Sequence, residues 1–76
     1  MTDLEKERYI SYMTLKDELT DYLGQGAELY LDGRRSDAGR IAAACVFNED
    51  SAYMRDYVRD GSGRLLKINF DSVKNR

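Results

Sequence analysis

The chain has no histidine, no proline and no tryptophan, and a single cysteine, Cys45. Each absence removes a class of chemistry. Without histidine there is no His-based catalytic triad and no imidazole to hold a transition metal. One cysteine can form neither an intramolecular disulfide nor a Cys-based zinc cage within one chain, and this usage points to a reducing compartment. No apolar run is long enough to cross a bilayer, and Met1-Thr2-Asp3-Leu4-Glu5 lacks the basic stretch and apolar segment of a secretory signal. A cytoplasmic location with no membrane partner is therefore expected. The lack of proline leaves glycines and capping residues as the only punctuation along the chain.

What is there is enough to fold. Of 76 residues, 42% are apolar and 34% are charged with both signs, a mixture too hydrophobic for a disordered tail. The length fits one domain, residues 1–76, because two cores of half this size could not offset the loss of chain entropy. A domain of this size buries only about 60% of its unfolded surface, so pairing with a second copy, a homodimer, is a natural way to gain more. The net charge of −2 gives no long-range attraction for nucleic acid or anionic lipid, although twelve basic residues against fourteen acids leave room for a local basic patch.

Five elements follow from the pattern. Thr2 and Glu5 form a capping box, and Tyr12, Leu15, Leu19, Tyr22 and Leu23 make one helical stripe, giving a helix over about 3–23 that Gly24 ends. Thr14 followed by Asp17 is a second capping signal, but one continuous helix is the preferred reading. Alternation over Ala27 to Leu31 reads as a strand over about 27–31 with Leu29 and Leu31 inward, and Asp32-Gly33 turns the chain. Ser36 is placed to cap a second helix over about 37–46, with Ala38, Ile41, Ala42 and Cys45 on one face. After the polar turn Asn48-Glu49-Asp50-Ser51, a β-hairpin spans about 52–70 around Asp60-Gly61-Ser62-Gly63, a type I turn with a glycine bulge that pairs Asp60 with Arg64. The α-β-α-β-β order predicts an α+β fold: a small three-stranded mixed sheet with both helices packed on one face and the other face open. A right-handed crossover through the second helix makes the first two strands parallel if they share a sheet.

The hairpin register decides which side chains reach the open face. Uninterrupted pairing from Asp60 and Arg64 sends Met54, Val58, Leu66, Ile68 and Phe70 inward, and Tyr53, Arg55, Tyr57, Arg59, Leu65, Lys67 and Asn69 outward. A slip by one residue would bury both tyrosines instead. In the first register Tyr30, Tyr53, Arg55, Tyr57, Arg59 and Lys67 interleave rings with positive charge, a composition that suits a protein interface or base stacking and also serves as ordinary cross-strand packing. That register also puts Asp56 inward between Met54 and Val58, where a carboxylate needs a donor or a place at the sheet edge.

A second candidate is Gly33 to Arg40, where Arg34, Arg35, Ser36 and Arg40 surround a helix start whose free amides attract anions. The plainer role is a capped helix with solvated arginines. The run lacks the lysine of a P-loop and the glycine spacing of a dinucleotide fingerprint. Cys45, on an apolar helix face with no activating neighbour, reads as a small hydrophobe. Tyr9, Tyr12 and Met13 extend the apolar reach of the first helix beyond one stripe, pointing either to a partner or dimer contact or to packing across the end of the sheet.

No paired acid and base, metal cluster or nucleophile with its base can be assembled, so a non-enzymatic binding protein without cofactor is expected. A protein partner fits the negative net charge better than a nucleotide or single-stranded nucleic acid, which is the alternative. In size and style the chain resembles compact accessory proteins of bacteria and phages, including inhibitors of anti-CRISPR type, and no motif carries that resemblance.

Overall fold

The structure, a computed structural model, describes residues 2–48 and 52–73. Glu49 to Ser51 of the expected polar turn lie outside the described residues. Helix α1 covers Asp3–Gly24 without a break at Thr14. The Thr2 hydroxyl oxygen accepts the Glu5 amide at 3.2 Å, so the first turn is capped as its sequence demands. At the other end the Ala27 amide donates to the Tyr22 carbonyl (3.1 Å) and the Gly26 amide to the Leu23 carbonyl (3.0 Å), a Schellman closure. Gly26 takes the left-handed conformation this closure needs, with φ of +94°. Gly24 is thus the last helical residue, and Gly26 is the one that redirects the chain.

Strand β1, Glu28–Leu31, runs into Asp32 (φ +50°) and Gly33 (φ +81°). Two consecutive positive φ values make a type I′ turn, whose twist folds the chain back onto the strand it has left. A two-residue strand β2, Arg34–Arg35, results, with Tyr30 opposite Arg35 and Leu31 opposite Arg34. Among the described residues the sheet therefore has four strands instead of the expected three. Helix α2 follows over Ala38–Phe47, capped by Asp37, whose carboxylate accepts the Arg40 amide at 2.8 Å. Ser36, the expected cap, is held by the ladder instead, its amide donating to the Leu29 carbonyl at 2.9 Å.

Strands β3, Ala52–Arg59, and β4, Leu65–Val73, complete a mixed sheet of order β2-β1-β4-β3. β1 is parallel to β4, not to the first strand of the hairpin, which lies at the edge. Among the described residues one cluster of ten forms the core: Leu15 and Leu19 from α1, Ala27 and Leu29, Ala38, Ile41 and Ala42 from α2, and Leu65, Ile68 and Phe70 from β4. Both helices contribute to it, so both lie on the same side of the sheet, and the alternation of β1 and β4 sends every second side chain to the side they leave uncovered. Among the described residues no helix is long and apolar enough to cross a membrane.

Candidate functional site

The hairpin turn forms as its residues require. The Asp60 amide donates to the Arg64 carbonyl (2.9 Å), the Gly63 amide donates to the Asp60 carbonyl (3.0 Å), and Gly63 has φ of +87°. The Asp60 carboxylate accepts the Ser62 hydroxyl (2.7 Å), the Ser62 amide (2.8 Å) and the Arg64 amide (3.0 Å). These bonds, the Ser62 hydroxyl foremost, hold its pKa below the ordinary 3.8.

One step beyond the turn the register changes. Arg59 lies opposite Leu65, but Val58 lies opposite Lys67, so Leu66 is an extra residue in β4. From there the pairs are Tyr57 with Ile68, Arg55 with Phe70, Asp56 with Asn69 and Met54 with Asp71. A bulge of one residue offsets the two strands against each other, so Ile68 and Phe70 of β4 keep the inward face expected of them while β3 is turned over as a whole. Tyr53, Arg55, Tyr57 and Arg59 consequently lie on the helix side, not on the open face expected for them. Leu65 is buried and Leu66 is 45% exposed, the reverse of the expected pair.

The physical reason is visible in what each face offers. Uninterrupted pairing would drive Asp56 into the core, whereas the bulge returns it to water and turns in side chains with apolar bodies and polar tips. Tyr53 packs against the core, and the Tyr57 ring meets Tyr22 of α1 edge-on at 6.1 Å. Arg55 spans the gap between sheet and helix. Its guanidinium donates to Glu18 of α1 at 3.2 Å and to the Tyr57 hydroxyl at 3.4 Å, and stands 5.4 Å from the centre of the Phe70 ring. Burial alone would lower the Arg55 pKa; the bond to Tyr57 and the nearby charges, Glu18 among them, outweigh it and raise the value. Burial also raises the Cys45 pKa, with Arg55 opposing, a direction that disfavours the reactive thiolate. Arg59 closes the end of the ribbon by donating to the Gly63 carbonyl at 3.3 Å.

The uncovered face is built from the alternate residues. Across it run Glu28, Lys67 and Val58; then Arg35, Tyr30, Asn69 and Asp56; then Asp71 and Met54. Lys67 Nζ sits 5.1 Å from the centre of the Tyr30 ring, and Arg35 Nη1 pairs with Glu28 at 3.0 Å. Met54 is 66% exposed. Of the six residues expected here, Tyr30 and Lys67 are present, and Met54, Val58 and Asp56 stand where tyrosines and arginines were expected. The awkward inward placement of Asp56 was the sign in the sequence that pairing from the turn would be offset by one.

At the second candidate, acids already occupy two of the three arginines. Arg35 engages Glu28, Arg40 Nε lies 3.5 Å from the Asp37 carboxylate, and that carboxylate itself covers the start of α2. Arg34 lies in β2, exposed. On α1, Tyr12 contacts Phe47 of α2 at 5.6 Å between ring centres and Tyr9 at 6.4 Å, so the aromatic group joins the two helices. No family model, curated protein or solved structure matches the chain.

Proposed function

We propose that this chain is a non-enzymatic binding protein that acts by covering a protein partner with its uncovered sheet face. The observation that carries the reading is Met54, two-thirds exposed on a face that neither described helix covers, beside the half-buried Val58 and Tyr30. An exposed methionine adapts to varied surfaces, and tyrosine supplies a large contact at low entropic cost. The surrounding charges are of both signs: Glu28, Asp56 and Asp71 alternate with Arg35 and Lys67. Mixed charge suits the polar rim of a protein interface, whereas phosphates laid across the same surface would meet three carboxylates. Binding of this kind works by occupancy, the mode of the compact bacterial and phage inhibitors that the chain resembles in size.

The test is co-purification from cells that make the protein, with parent chain and Met54→Glu compared at equal, verified thermal stability. The proposal expects a protein that is retained by the parent and lost from the variant. Equal retention by both would remove the sheet face as the docking surface, and recovery of nucleic acid in place of protein, released steeply by salt, would replace the protein partner with the alternative.

A further inference from the structure

We infer that α1 pairs antiparallel with α1 of a second copy of this chain, through the helix face turned away from the core. Leu15 and Leu19 are the buried residues of α1. On the opposite side, Lys6, Ile10, Met13 and Asp17 follow one another at steps of four, three and four, the spacing of a single stripe along a helix. All four are exposed, Ile10 at 63% and Met13 at 37%, and Tyr9, at 53%, flanks them. An exposed isoleucine and methionine in the middle of the solvent face is what a surface helix avoids unless that face is covered.

The stripe itself selects the occupant. Lys6 precedes Ile10 by the same four residues by which Asp17 follows Met13. A two-fold axis between Ile10 and Met13 therefore lays Ile10 on Met13 of the second copy and Lys6 on Asp17, twice over. Closed two-fold pairing needs such a self-complementary patch, in which residue i meets j and j meets i. Parallel pairing in register would instead oppose Lys6 to Lys6 and Asp17 to Asp17. The 22 residues of α1 span about 33 Å, so the overlap extends over nearly the whole helix. One helix face per copy stays below the roughly 1,600 Å² of a standard interface, which makes the association weak and concentration-dependent.

Sedimentation equilibrium of the full chain across a wide concentration range, with charge-swapped variants, tests the pairing. Lys6→Asp alone and Asp17→Lys alone each place like charges together twice, and each is expected to weaken dimerisation about tenfold or more, given what single exposed pairs contribute. Neither swap threatens the fold, because an acid near the start of α1 and a base nearer its end both favour the helix dipole. The double variant restores the pairs with reversed signs and should dimerise like the parent. An equimolar mixture of the two single variants should form a mixed dimer in preference to either homodimer. A parent chain that is monomeric at every concentration overturns the inference, and so does a dimer whose strength ignores both single exchanges.

Discussion

At the scale of single residues, Asp60 ties the hairpin turn to its own chain through one carboxylate oxygen that accepts three donors. Because these bonds hold its folded-state pKa below the ordinary 3.8, the ionised carboxylate stabilises the fold at pH values above that figure, and the contribution disappears as pH falls through the lowered value. Asp60→Asn keeps an acceptor oxygen at the same place but does not titrate. The parent should therefore melt higher than the variant near neutral pH, with the gap closing in acid. Thermal melts of both proteins between about pH 7 and pH 2 measure this, and a gap independent of pH would show that the charge contributes nothing. Arg55 serves a different purpose at the same scale. By reaching Glu18, Tyr57 and the Phe70 ring together it gives a charged residue on the helix side enough partners to stay there.

At the scale of elements, α2 depends on its cap. With Asp37 as the acceptor for the Arg40 amide, Asp37→Ala should cost about 1 kcal/mol, a loss that urea unfolding would detect, while Ser36→Ala should cost markedly less. Equal losses would mean that the cap is shared. The helices were legible in the sequence because their signals are local: Thr2 at the start of α1, the stripe through Leu15 and Leu19, the small residues Ala38 and Ala42 of α2. The hairpin turn was legible for the same reason. The faces of the ribbon beyond it were not, since a bulge at Leu66 answers to a contest between turning Asp56 and turning Tyr57 toward the helices, which only the packed molecule decides. Strand β2 had a readable signal in Asp32-Gly33, a dipeptide that folds a strand back on itself, and its two residues are too few to show any alternation. The candidate site was legible in part: Tyr30 and Lys67 are on the open face, while the residues that β3 contributes to it are Met54, Asp56 and Val58.

At the scale of the whole molecule, the shortest extent of the chain is 17 Å, the thickness of one helix layer laid on one sheet. Such a slab has two broad surfaces, and a small protein with a thin core gains by covering either. Pairing through α1 would leave the sheet faces of both copies turned outward, so one dimer could hold a partner at two points and bind more tightly than either face alone. The central claim is that the face carrying Met54, and not the neighbouring row of Tyr53, Arg55 and Tyr57, meets that partner. Neighbouring residues on one strand point to opposite sides, so a photo-reactive amino acid placed at position 54 or at position 53, in cells that make the protein, separates the two surfaces. A cross-linked protein adduct from position 54 with none from position 53 is the predicted result; an adduct from position 53 alone would contradict the account.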